Sequence, residues 1–146
     1  MAAHTERQHL AYTAPQLFDL VAEVERYPEF LPWMIEARIR HRKDGMMLVD
    51  MTIAAGPLRK RFATAAVLHR PHRIEISSQD PLFDRFEQRW TFEPAADGGT
   101  NVAYHVDFKF RSRVLQMLMR KSFAERAMAT MSAFERQAHR LYGGQS

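Results

Sequence analysis

Residues 102–142 read VAYHVDFKFRSRVLQMLMRKSFAERAMATMSAFERQAHRLY. The first part alternates. Val102, Tyr104, Val106, Phe108 and Phe110 fall on one face, and Ala103, His105, Asp107 and Lys109 on the other. A period of two marks a half-buried strand. After Arg111, Ser112 and Arg113 the period changes. Leu115, Leu118, Met119, Phe123, Ala127, Met131, Phe134, Ala138 and Leu141 recur at spacings of three or four, one wide apolar stripe of a long helix. A last strand feeding a last helix that lies back over the sheet builds a covered apolar cavity. That favours holding an apolar molecule over catalysis.

The chain upstream supplies the sheet. Residues 4–12 alternate weakly and predict a first strand. Thr13-Ala14-Pro15-Gln16 is a capping box with proline inside the first turn. It predicts a helix that buries Leu17, Phe18, Val21 and Val24. Pro28 and Pro32 forbid a long helix beyond it. They leave room for one short turn between them, inside a gate-like apolar segment from Tyr27 to Trp33. Strands should then follow on Ile35-Ala37-Ile39, Met47-Val49-Met51-Ile53, Phe62-Thr64-Ala66-Leu68, Ile74-Ile76 and Phe86-Gln88-Trp90-Phe92. Lys43-Asp44-Gly45, Ala54-Ala55-Gly56-Pro57, Pro71-His72, Asp80-Pro81 and Asp97-Gly98-Gly99 punctuate them as turns. The fold class is therefore α+β: an antiparallel meander of about seven strands, one or two short helices after the first strand, and a C-terminal helix. A helix of about 30 residues spans roughly 45 Å, enough to cross a sheet. No linker or repeat interrupts the pattern, so residues 1–146 read as one domain.

Composition narrows the chemistry. The chain has 146 residues, 46% hydrophobic and 26% charged, the proportions of a soluble globular domain. Cysteine is absent, which removes disulfides and thiolate metal sites. Neither a signal-peptide core nor a membrane-length apolar run stands out, so a cytoplasmic or membrane-peripheral protein is expected. The net charge of +4 comes in clusters. Arg38, Arg40 and Arg42 should share one strand face. Arg59, Lys60 and Arg61 are contiguous, and Arg111, Arg113, Arg120 and Lys121 flank the start of the last helix. A solvated sheet surface explains such clusters, as do an anionic membrane surface and RNA. The Lys/Arg-Gly-aromatic signatures of common RNA-binding modules are missing, which favours the membrane.

Parity and the helical stripe nominate the cavity: Met51, Ile53, Phe62, Gln88, Trp90, Tyr104, Phe108, Leu118, Met119, Phe123 and Met131. Each is also what the core of such a fold requires. The collective signal is the nine methionines, of which Met51, Met117, Met119, Met128 and Met131 could line one adaptable space. Gln88, Trp90 and Tyr104 are the inward polar groups that a ligand head would need. Tyr27, Phe30, Trp33, Arg113, Val114, Met117, Arg120 and Lys121 are nominated for the mouth, apolar side chains entering a bilayer while cations meet phosphates. The seven His form no metal-binding pattern, and His105 and Asp107 fall on the outward face. With no cysteine, few serines and no Gly-x-Ser-x-Gly elbow, covalent catalysis has no evident nucleophile. No catalytic residue, catalytic cofactor or metal is expected.

Several segments resemble the START-like helix-grip superfamily, and more closely its coenzyme Q-binding START-domain branch. They are Val24-Glu25-Arg26-Tyr27-Pro28-Glu29-Phe30-Leu31-Pro32-Trp33, Pro57-Leu58-Arg59-Lys60-Arg61-Phe62, Trp90-Thr91-Phe92-Glu93-Pro94, Val106-Asp107-Phe108-Lys109-Phe110-Arg111-Ser112 and Leu141-Tyr142-Gly143. The resemblance implies a curved sheet wrapped around the C-terminal helix. It implies ubiquinone or a related isoprenoid lipid as bound ligand, and a non-enzymatic carrier or chaperone working with respiratory-chain or quinone-biosynthesis proteins at the inner membrane. The same branch includes a bacterial protein described as a ribosome-association toxin, so ribosome binding is the alternative. The superfamily also holds aromatic polyketide cyclases, which makes an acid–base cyclase the third reading.

Overall fold

The computed structural model describes residues 2–55 and 57–143. Strand β1 (Ala2–Leu10) leads into helix α1 (Ala14–Ala22) and a 3-10 segment (Val24–Glu29). Then come β2 (Met34–Lys43), β3 (Met46–Ala55), β4 (Leu58–His69), β5 (Arg73–Ser77), β6 (Phe83–Pro94), β7 (Thr100–Phe110) and helix α2 (Arg113–Tyr142). The seven strands form one antiparallel sheet in the order β1-β7-β6-β5-β4-β3-β2. The sheet curves around α2, the helix-grip arrangement that the resemblance implies.

Local chemistry sets the element ends. The Thr13 side chain accepts from the Gln16 backbone N–H, and the Gln16 side chain accepts from the Thr13 N–H, so two orphan donors at the start of α1 are satisfied. Ser112 caps α2 in the same way by accepting from the Leu115 N–H. Between β2 and β3, Asp44 and Gly45 both adopt positive φ, 38° and 79°. That is the two-residue turn whose twist matches an antiparallel hairpin. Gly56, in the expected turn after β3, lies outside the described residues. The short helical turn expected between Pro28 and Pro32 instead runs through Pro28, because its first residues carry on from α1. This segment covers the free edge of the sheet, where Glu25 accepts from the Ile39 backbone N–H.

Two bulges overturn simple alternation. In β2, Met34 pairs with Ile53 and Glu36 with Thr52, so Ile35 is the extra residue and Met34 takes the inward place expected of Ile35. A second shift between Ile39 and His41 puts Arg42 opposite Met47, on the concave side. Arg38, Arg40 and Arg42 therefore do not share a face, and Arg42 donates to the Met47 sulfur. In β6 a bulge between Phe83 and Arg85 turns both Phe83 and Phe86 inward. The strand thus begins three residues before its expected start.

Helix α2 divides into two halves. In its C-terminal half Ala127, Thr130, Met131, Ala133, Phe134, Gln137 and Ala138 are all buried. Phe134 meets Trp90, Tyr27 and Phe30 edge to face, with ring centroids 5.0, 5.4 and 5.0 Å away. Among the described residues from Arg113 to Arg126, Leu115 and Met119 are the buried ones, and Val114, Met117 and Leu118 are 66, 68 and 44% exposed. The first half is a roof and the second an anchor.

The Thr13 cap holds the helix that closes the sheet beneath the α2 anchor. Thr13→Ala should lower the unfolding free energy by about 1 kcal/mol. Urea unfolding would show this as an earlier midpoint with an unchanged slope.

Candidate ligand-binding cavity

A chamber lies between the concave face of the sheet and the inner side of α2 from Met119 to Phe134. About 130 Å³ of it is open to the centre of a water molecule. At 10–15 Å³ per water centre this is room for roughly ten waters, or roughly 300 Å³ of liquid, the low end of small-molecule sites. That admits a substituted ring with the first part of a tail, and a longer chain has to leave through the mouth.

Inward positions of β3, β4, β6 and β7 build the walls. Met51, Ile53, Phe62, Gln88, Trp90, Tyr104, Phe108, Met119 and Phe123, all expected from the sequence, line the chamber. Phe108 and Phe123 meet at 5.0 Å and tie the roof to the sheet. Leu118 does not line it and faces outward, because the roof's inner line runs through Leu115, Met119 and Phe123. Met117 and Met128 point outward on the same helix, so the methionines do not share one space. Met131 is buried but packs in the anchor, beyond the chamber wall.

The expected mouth residues separate. Trp33 is half-buried and lines the chamber, and Phe30 packs on Phe134. Tyr27 is buried in the wall, with its hydroxyl donating to the Val21 carbonyl, so it is not a surface group. Arg113, Val114, Met117 and Arg120 are exposed on the roof. The Lys121 side chain lies outside what the structure describes.

Sequence reasoning missed Leu31, Met34, Ile76, Phe83, Phe86, Val106, Phe110, Arg126, Ala127, Thr130 and Phe134 as wall residues. The bulges hid Met34 and Phe83. Arg126 and Thr130 are polar members of a helix face that an apolar stripe alone does not mark. Their spacing from Met119 and Phe123 places them there all the same.

Polar groups are few and grouped. Gln88 Nε2 donates to Tyr104 Oη at 3.2 Å, and Thr130 lies on the same phenol. Thr130 Oγ1 donates to the Arg126 carbonyl, one turn back along α2, at 2.8 Å. Burial pushes the Tyr104 phenol up to about 12, against weaker downward pulls from Gln88 and Thr130. Burial raises Tyr27 further still, and it lowers Arg126 from its ordinary value. Trp90 Nε1 is buried with no hydrogen-bond partner among the described residues. On the convex face, Asp50 bridges Arg40 and Arg61 at 3.0 and 2.8 Å, and Asp107 pairs with Arg85 at 3.2 Å. His105 bonds Thr5 there, as outward parity required. Among the described residues no cluster of three metal-ligating side chains occurs.

The family model for polyketide cyclase/dehydrase and lipid transport proteins matches residues 10–135. The chain belongs to that family. Within it, the chain is 31% identical over 144 residues to the ribosome association toxin RatA of Pseudomonas aeruginosa, covering 98% of this chain and 100% of the relative. It is 27% identical to the mitochondrial coenzyme Q-binding protein COQ10 homolog B of Xenopus laevis, covering 97% of this chain and 60% of that protein. The Zhui aromatase/cyclase of Streptomyces sp. R1128 superposes with a TM-score of 0.85 over 99% of this chain and 98% of that one. At 13% identity that likeness shows the fold alone. No helix of the described residues is long and apolar enough to cross a membrane.

The buried phenol gives an alkaline signature. Above about pH 10 an unfolded tyrosine ionises, while Tyr104 stays neutral in the fold up to about 12. Its contribution to stability is whole below the unfolded value and is lost as pH rises through this window. Tyr104→Phe should make the alkaline loss of stability less steep, measured by denaturant unfolding across that range.

Proposed function

We propose that this protein is a non-enzymatic carrier of ubiquinone or a late isoprenoid precursor of it. The observation that carries the reading is the chamber itself: an aromatic-walled space of ring size, with Gln88, Tyr104 and Thr130 grouped at one place and an opening beneath the roof half of α2. The name of the coenzyme Q-binding relative supports the choice of ligand. The ring would enter, and the tail would leave past the roof. Binding comes from apolar burial at about 25 cal/mol per Å², less the cost of ordering.

Val114, Met117 and Leu118, with Arg113 and Arg120 beside them, form an exposed apolar patch edged by cations. That surface suits the anionic face of a bilayer, where such a lipid must be collected and released. Acid–base cyclisation is less well served. The titratable side chains of the wall are Tyr27, Tyr104 and Arg126. Burial moves both phenols away from the neutral range where proton exchange is efficient.

The protein purified from a ubiquinone-producing host should carry near-stoichiometric quinone in its organic extract, read by mass spectrometry. Phe123→Asp should empty it, and Met128→Asp, on the solvent side of α2, should not. An empty extract from folded wild-type protein sinks the carrier reading.

Ribosome binding is the second reading, favoured by the full-length match to the ribosome association toxin. The exposed arginines 38, 40, 59 and 61 offer it a phosphate-binding surface, partly neutralised by Asp50. Co-sedimentation with ribosomes that fades steeply as salt rises would support it. Equal recovery without ribosomes would remove it.

A further inference from the structure

Arg126 is the one cation among the chamber's described wall residues. It sits on α2 between Phe123 and Ala127 and is half-buried. Its Nη1 donates to the Ala54 carbonyl at the end of β3, 2.8 Å away, across the mouth. A long contact of 3.9 Å runs from the same nitrogen to the Met119 sulfur, a weak acceptor. A guanidinium carries five N–H donors, so one carbonyl and one sulfur leave most of them unused.

Burial without a carboxylate partner among the described residues sets Arg126 apart. Arg40, Arg61, Arg70 and Arg85 each face a carboxylate on the outer surface. Arg126 has no carboxylate in ion-pair distance among the described residues, and burial is the sole cause of its lowered pKa. A charge withdrawn from water without a counter-ion is costly. Bracing the mouth explains one hydrogen bond and leaves the charge unexplained. A planar fork suits a carboxylate or an ionised phenol, and a charge-assisted bond is about twice as strong as a neutral one.

The neighbours fit the same division of labour. Thr130 lies one turn deeper on the same helix face, beside the Tyr104 and Gln88 pair. Neutral polar groups thus stand inside, and the single charge stands at the mouth. A ring held between them would meet hydroxyl and amide at one end and a guanidinium at the other. We propose that Arg126 makes this chamber selective for ring-bearing ligands with an acidic oxygen, a carboxylate or ionised phenol, over neutral molecules of the same skeleton. This rests on the chamber being the ligand site. It adds a preference to that reading: a neutral quinone still enters the chamber, and an acidic aromatic precursor of the same skeleton binds more tightly.

A matched pair of probes tests it: 1-anilinonaphthalene-8-sulfonate and N-phenyl-1-naphthylamine, one skeleton with and without an anion, each titrated by fluorescence. Wild-type protein should bind the sulfonate about tenfold or more tightly than the amine. Arg126→Gln should lose that preference and keep amine binding within about twofold, which also shows that the variant is folded. Arg126→Lys should recover part of it. Arg73→Gln, the same charge change at an exposed strand position, should leave it intact. Equal affinities in the wild type overturn the proposal. So does a preference that survives Arg126→Gln or disappears with Arg73→Gln. Failure of both probes to enter wild-type protein would instead remove the chamber as a ligand site, and this inference with it.

Discussion

Phe134 holds the molecule together. Its ring stands edge-on to Trp90 of β6 and to Tyr27 and Phe30 of the segment before β2. One side chain thus joins the long helix, the middle of the sheet and the covered edge. Edge-to-face pairs of this kind add about 0.5–1.5 kcal/mol each beyond area burial. They also fix where α2 sits along its axis, because a shift by one turn would bring a different side chain to Trp90. Ala138, fully buried one turn further on, lets the helix lie close against α1 and the sheet. With the C-terminal half seated there, the N-terminal half must project over the wider part of the curved sheet.

The chamber follows from that geometry. Where the sheet curls towards α2, side chains interlock and exclude space. Where it opens, the roof meets the sheet through the Phe108 and Phe123 rings, the Arg126 to Ala54 bond and the Phe110 N–H that donates to the Gln116 side chain. The bulges in β2 and β6 deepen the curl and turn Met34 and Phe83 inward. A native core rarely leaves voids larger than a water. A space for about ten waters, walled by apolar rings, is therefore a feature to be explained by what fills it. The roof contacts are few and its outer face is apolar, so it is also the part of the fold with least to lose on opening.

Family membership and chamber chemistry bear on function in different ways. The family spans lipid transport and cyclisation, and relatives of similar identity carry names as different as a ribosome association toxin and a coenzyme Q-binding protein. A fold shared so widely does not choose among them. The wall does more. Its phenols are held neutral by burial, and its hydrogen bonds converge on one small region. Those are the features on which the proposed carrier reading rests.

Much of this was legible in the sequence. The alternation from Val102 to Phe110, the stripe from Leu115 to Leu141, the Thr13 capping box and the Asp44-Gly45 turn are local patterns. Local patterns decide element type because backbone geometry repeats every two or 3.6 residues. Seven wall residues followed from strand parity, and Met119 and Phe123 from the helical stripe. What the sequence could not give was register and axial position. A bulge inserts one residue and reverses parity beyond it, which is why Arg42 and Met34 changed faces. The helical stripe is wider than the contact it makes, so Leu118 and Met131 satisfied the pattern yet fall outside the chamber. Arg126 and Thr130 were polar letters within an apolar face, and only the position of α2 over the sheet turned them inward. The sequence by itself determined the elements, their order and the apolar faces. The tertiary structure decided which part of the long helix is anchor and which is roof, because that depends on where one phenylalanine meets one tryptophan across the sheet.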